Sequence, residues 1–236
     1  MDTTVVEVVA LGVVVLAAVA VIASRVVGSL PERRHCERLA GWARDNGWSY
    51  DRERPELVDR FEGHPFVERR SNARTRHVLC AGLRGYRVMA YEYSYTASRH
   101  DGRDTATTGH AHTVVAVSLP GPAPVLEVRA RGAGHLRSEI AGVCDVRVGD
   151  AAFDGAFSVA AADEDFARTV LDERVRAHLS GADGAPVPFR FSGTHLLTWQ
   201  DGALDPDRAA ERARALLDLL ERVPRAAWGD RRDTVG

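Results

Sequence analysis

Residues Val5 to Ser24, VVEVVALGVVVLAAVAVIAS, constrain this chain more than any other stretch. Twenty residues at about 1.5 Å rise each span roughly 30 Å, the thickness of a bilayer's hydrocarbon core. Twelve of the twenty are Val, Leu or Ile. At roughly −0.3 to −0.6 kcal/mol each on an insertion scale, they supply on the order of −4 to −7 kcal/mol. Glu7 is the one charge and sits in the first turn, so its cost stays well below the roughly +3 kcal/mol of a charge at the bilayer centre. Two other readings compete. A cleaved signal peptide suits the small residues Ala18-Val19-Ala20, but Met1, Asp2, Thr3 and Thr4 give it no basic start. A buried core helix would need a polar face, which the run lacks. The expectation is a transmembrane helix over 5–24.

Arg25, Arg33, Arg34 and Arg38 follow the run and no basic residue precedes it. The positive-inside rule then predicts a single-pass plasma-membrane protein, N-terminus outside and C-terminal domain cytoplasmic. Its expected parts are an external 1–4, the span 5–24, a juxtamembrane linker and helix over 25–47, an α+β domain over 48–224 with a secondary boundary near 142–150, and a flexible tail over 225–236.

The net charge of −2 argues against wholesale nucleic-acid binding. All 31 basic residues are Arg, which pairs bidentately and stays charged. Cys36, Cys80 and Cys144 contain no CxxC pair, so neither a zinc ribbon nor a redox motif is supported. They read as small buried thiols.

A helix is expected from Glu32 to about Asn46, with Pro31 before it and Gly47 as its stop. Short elements follow at Trp48–Tyr50 and Pro55–Phe61. Strand patterns run at His77–Leu83, Tyr86–Ala97, His112–Leu119 and Val125–Ala130, with turn signals at Arg84-Gly85 and Pro120-Gly121-Pro122. Gaps this short favour an antiparallel meander. Tyr91, Tyr93 and Tyr95 alternate with Glu92 and Ser94, which puts the tyrosines on one face. Ser98 to Gly109 is polar and reads as a mobile loop. Cys144–Val148 suggests one more strand. Phe153–Val159 reads as a strand, Asp163 as the cap of a helix to Leu179, Val187–Phe191 and His195–Gln200 as a hairpin, and Asp205 as the start of a helix to Pro224. The fold class expected is α+β: one transmembrane helix, an antiparallel β-meander and a C-terminal β-α-β-β-α unit.

An N-terminal anchor, an Arg-rich helix, a tyrosine-rich strand and Gly149-Asp150-Ala151-Ala152-Phe153-Asp154-Gly155-Ala156-Phe157 ahead of a helix with Val170-Leu171 form a combination. It resembles a group of uncharacterised single-pass membrane proteins from GC-rich, actinobacterial-type bacteria. The group has no assigned activity, so the resemblance implies fold and location alone.

Two clusters are candidate chemistry. His100, His110 and His112, with Asp101 and Asp104, carry the ligand types of a zinc site, should the loop fold His100 back. Solvated loop histidines are the plainer reading, no HExxH motif exists, and no cofactor is predicted. The Tyr91, Tyr93, Tyr95 face could stack a flat ligand, with Arg74, Arg76 and Arg87 to meet phosphates. A sheet face packed on a helix is the plainer alternative. Asp150 and Asp154 read as turn caps, and Gly132-Ala133-Gly134 as a turn.

Two function classes remain. One is a non-enzymatic, membrane-anchored module that binds the bilayer through its first helix and docks a protein partner or ligand at the cytoplasmic face. The other is a membrane-bound, metal-dependent hydrolase or other enzyme using the His100, His110, His112 region.

Overall fold

The computed structural model describes residues 32–66, 70–101, 104–132, 140–181 and 188–228, with the side chains of 98–101 and 104–106 outside that description. Its centre is a seven-stranded antiparallel sheet. The strands are β1 (Ser49–Glu53), β2 (Ser71–Leu83), β3 (Tyr86–Asp101), β4 (Asp104–Ala130), β5 (Cys144–Val146), β6 (Phe157–Ala161) and β7 (Phe189–Asp201). Five helices accompany it: α1 (residues 32–45), α2 (Ala151–Ala156), α3 (Glu164–Val170), α4 (Glu173–Ser180) and α5 (Pro206–Arg222).

The run 5–24 and Arg25 lie outside the described residues. Among those described, no helix is long and apolar enough to cross a membrane. The expected fold, a transmembrane helix with a single-pass, plasma-membrane architecture and a cytoplasmic C-terminal domain, is corrected for the described residues to an antiparallel sheet backed by helices, none of which can cross a membrane. The reason that the described helices do not suit a membrane is visible in their faces. Of the residues in α1, Leu39 and Ala43 are buried, and Arg33 and Arg34 are exposed. On α5, Ala209, Ala213, Leu216, Leu217 and Leu220 form one buried stripe, opposite exposed Arg208, Glu211 and Arg214. Each helix has one sheet-facing stripe and a charged back, which suits packing rather than lipid.

Strand β4 is the spine. Its first half lies between β3 and β7, and its second half between β6 and β7. Two expected turns prove to be kinks in continuous strands. Pro120-Gly121-Pro122 does not end a strand, and Ser192-Gly193-Thr194 does not close a hairpin. Between the pairs Ser118↔His195 and Ala123↔Gly193 the register shifts, and the two kinks face each other. Proline has no N–H for the ladder, so the residues around it bulge while pairing resumes beyond. Arg84-Gly85, with φ of 51° and 82°, makes the two-residue turn between β2 and β3.

Other expectations are also revised. Residues 153–156 of the expected Phe153–Val159 strand belong instead to the helix α2, because Asp150 caps it by accepting from the amides of Ala152 and Phe153. The helix expected from Asp163 to Leu179 is two, since Asp172 caps a fresh start by accepting from Val175 N at 2.9 Å. The β-α-β-β-α unit becomes β6-α3-α4-β7-α5. Residues 98–101 and 104–109 of the expected loop instead extend the β3–β4 pairing, with His100 opposite Thr105 and Asp101 opposite Asp104. Part of the expected tail is ordered, as Arg225–Trp228 is a short 3-10 helix with Trp228 packed 6.2 Å from Phe191. Residues 229–236 lie outside the description.

The sheet has a core on each face. Helices α1, α3, α4 and α5 close one. The other gathers Val78, Tyr91, Tyr93, Tyr95, Val114, Ala116, Leu197 and Trp199 beneath Leu57, Phe61 and Phe66. Those last three belong to residues 54–66, which cross the sheet as a strap.

Candidate functional site

The strap is pinned from below. Arg190 is fully buried on β7 and its Nε donates to Glu127 Oε2 at 2.6 Å. The same guanidinium donates to the carbonyl of His64 at 2.8 Å and to that of Glu62. It also lies 4.7 Å over the Trp199 ring. Glu127, 2 % exposed, accepts a second time from Arg129. Two desolvated charges thus satisfy each other, and the spare donors hold strap carbonyls. At the strap's start Thr75 Oγ1 donates to Arg54 O, and Arg70 pairs with Asp59.

Under the strap, Tyr91, Tyr93 and Tyr95 share one face as the alternation predicts, and all are buried. His110 and His112 stand opposite Tyr95 and Tyr93 in register, and their rings stack on Tyr95 at 4.9 and 5.9 Å. His64 on the strap meets His112 edge-on at 5.3 Å and Trp199 at 6.1 Å. His195 meets Phe61 at 5.6 Å. His112 Nδ1 lies 2.9 Å from Asp201 Oδ1, close enough for an ion pair when protonated but without hydrogen-bond alignment. The hydroxyls of Tyr91 and Tyr93 and Nε2 of His112 are buried with no hydrogen-bond partner among the described residues.

Burial sets the electrostatics. It holds His64 down to about 4, helped by His112 and Arg129 and opposed by Asp201. His195 is also held at about 4, by burial first and then Arg60 and Arg87. His112 is lowered by burial against the opposing pull of Asp201. Burial pushes the Tyr93 phenol up to about 12 and Tyr91 higher still. Burial therefore favours the neutral forms of His64, His112, His195, Tyr91 and Tyr93.

The sequence-predicted residues divide. Tyr91, Tyr93, Tyr95, His110 and His112 come together. His100 does not, because it lies five positions beyond Tyr95 on the strand, about 16 Å along the ladder. The side chains of His100, Asp101 and Asp104 lie outside the description. Among the described residues no group of three or more His, Cys, Asp or Glu is placed to hold a metal ion. Arg74 and Arg76 pair with Ser94 and Glu92, so they sit on the face opposite Tyr93. Arg87 is exposed, while the Arg70 guanidinium lies 5.8 Å from the Tyr93 ring centroid. Asp150 and Asp154 are caps, with Asp154 accepting from Val148 N and Gly149 N. Cys36 and Cys80 are partly buried, but Cys144 is exposed, against expectation.

Periodicity gave no sign of His64, Glu127, Arg190, His195 or Asp201. A further polar group lies where α1 meets the sheet edge. His77, 3 % exposed and at a φ of 53°, stands at a bulge in β2. Tyr50 OH lies 2.9 Å from its Nδ1, His35 packs edge-on at 4.7 Å, and Glu32 is 3.8 Å from its Nε2.

Fold and site together define a helix-backed antiparallel sheet domain whose second face is closed by a strap. No protein-family model and no curated protein matches the chain. Among solved structures, the crystal structure of the mycobacterial trehalose monomycolate transport factor A, TtfA, is similar. The TM-score is 0.56 and the identity 19 %, with 80 % of this chain and 96 % of that one covered. At that identity the likeness is one of fold.

Proposed function

We propose that this chain is a non-enzymatic binding module that docks a partner or ligand through the strap-covered face of its sheet, in a transport-related role. The observation that carries the reading is the strap itself. A buried ion pair holds it over an aromatic face on which the hydroxyls of Tyr91 and Tyr93 and Nε2 of His112 have no hydrogen-bond partner among the described residues, groups whose desolvation a docked molecule would offset. The likeness to a transport factor agrees with it. In-cell photo-crosslinking from Glu56 and Asp59 on the strap, with Glu211 on α5 as control, tests it. One stoichiometric neighbour captured from the strap positions alone is the expected outcome. Equal labelling from all three, or none, would sink it.

A second reading is a hydrolase or other enzyme using His112 as a base oriented by Asp201, favoured by their 2.9 Å contact. Ester hydrolysis that disappears in His112→Gln would support it over the first.

A further inference from the structure

We propose that the strap over residues 54–66 is an acid-released cover, and that proton uptake by His64 and His195 favours the state in which it has lifted from the Tyr91–Trp199 face. This concerns the regulation of the face described above and rests on that reading for its purpose, but not for its test.

The geometry places both imidazoles at the strap–sheet interface. His64 is part of the strap and touches His112 and Trp199, with Arg129, Arg190 and Asp201 facing it. His195 lies on β7 beneath Phe61, with Thr194 Oγ1 at 3.0 Å from its Nδ1 and Arg60 and Arg87 facing it. His112, between His64 and Asp201, is flanked by His110 and Tyr95. The carboxylates nearby are mostly committed: Glu127 to Arg190 and Arg129, Glu56 to Arg54, and Asp59 to Arg70. Glu62 is exposed. A proton added to His64 or His195 in the closed state therefore enters a compartment edged by four guanidiniums, with Asp201 the counter-charge facing His64.

The sign follows from linkage. With the strap down both imidazoles resist protonation to about pH 4. With it lifted they return towards the ordinary value near 6.5. The closed state thus binds fewer protons, so its advantage is full above about pH 6.5 and shrinks as pH falls towards 4. At pH 5 each histidine would raise the open-to-closed ratio by at most about 30-fold. Solvent remaining around the rings cuts that to roughly tenfold.

Hydrogen exchange of the full chain at pH 7 and pH 5, corrected for intrinsic rates, reads this. Amides of Leu57, Val58, Arg60 and Phe66 are bonded within the strap. They should be less protected than those of α5 at both pH values, and should lose at least about tenfold protection at pH 5. In His64→Gln with His195→Gln the pH 7 protection should persist and the acid loss should shrink to what His112 supplies. Equal protection of strap and α5 would show that the strap opens only with the whole fold, and would overturn the proposal. So would an undiminished acid loss in the double variant. Should that variant fold poorly, imidazole titration of the unaltered chain by NMR decides, because a value of 6 or above for both rings contradicts the mechanism. No partner enters these measurements, so failed crosslinking leaves this proposal standing and failed exchange leaves the docking reading standing.

Discussion

Arg190 carries the largest single-residue consequences. Removing Glu127 as Glu127→Ala would leave a fully buried guanidinium facing Arg129 without its carboxylate. A loss of about 3–5 kcal/mol is expected. Replacing both partners, as Glu127→Leu with Arg190→Met, should cost clearly less than the sum of the two single changes, because no charge stays desolvated. Urea denaturation of the unaltered chain, Glu127→Leu, Arg190→Met and the double variant reads the difference. Gly63 is the second sensitive point. Its φ is 69°, and an added Cβ would fall 2.6 Å from Ile140 Cγ1. Gly85, at a φ of 82°, has nothing within 4 Å of such an atom. Gly85→Ala should therefore cost about 1 kcal/mol for its backbone alone. Gly63→Ala should cost about 2–4 kcal/mol, because crowding adds to the backbone term. Thermal melts of the two variants side by side check the order. Neither Glu127 nor Arg190 was legible as buried. Glu127 alternates with Leu126 and Val128, and Arg190 with Phe189 and Phe191, which is how a solvent-facing strand residue looks. A strap from more than sixty residues away covers that face, and alternation records only the strand's own two sides.

Among the elements, those defined by local chemistry matched expectation best. Asp205 and Pro206 open α5 as expected, the Arg84-Gly85 turn joins β2 to β3, and the tyrosines of β3 share a face. Elements misread were those where a local signal was overridden or stopped short. The prolines of β4 signal a turn, yet β7 pairs on both sides of them. The polar run after Ala97 looks unstructured, yet its two arms pair with each other. The break at Asp172 is hidden in the sequence because Val170, Val175 and Leu179 continue an apolar stripe across it. That break gives a prediction. Asp163→Ala and Asp172→Ala each remove a carboxylate that accepts a first-turn amide, from Phe166 N and Val175 N at 2.9 Å. Each should cost about 1 kcal/mol and lower Tm by roughly 2–4 °C. If Asp172→Ala were silent while Asp163→Ala was not, α3 and α4 would be acting as one helix with a bent middle. Calorimetry of the two variants separates these cases.

At the scale of the molecule, both cores are attached to the same strand. Val115, Val117, Leu126 and Val128 of β4 face the helices, while Val114 and Ala116 face the strap. Losing either core removes the support of a strand that β3, β6 and β7 all need for pairing. Cooperative unfolding is therefore expected even though the two cores are chemically different, one built of aliphatic residues and phenylalanines and the other rich in tyrosine and histidine. The tryptophans report on the two sides separately: Trp48 belongs to the helix-side core, against which Trp42 and Trp228 pack, and Trp199 to the strap side. Urea unfolding followed by far-ultraviolet circular dichroism and by fluorescence should give coincident transitions in the unaltered chain. The two signals should coincide again in Trp199→Phe, whose fluorescence comes from the helix side. Local lifting of the strap does not spoil the coincidence, since it populates too little to move either signal near neutral pH. A fluorescence transition in the unaltered chain that precedes the loss of secondary structure, and that vanishes in Trp199→Phe, would mean that the strap compartment melts by itself. The spine argument would then fail, because pairing along β4 would survive with one of its faces bare.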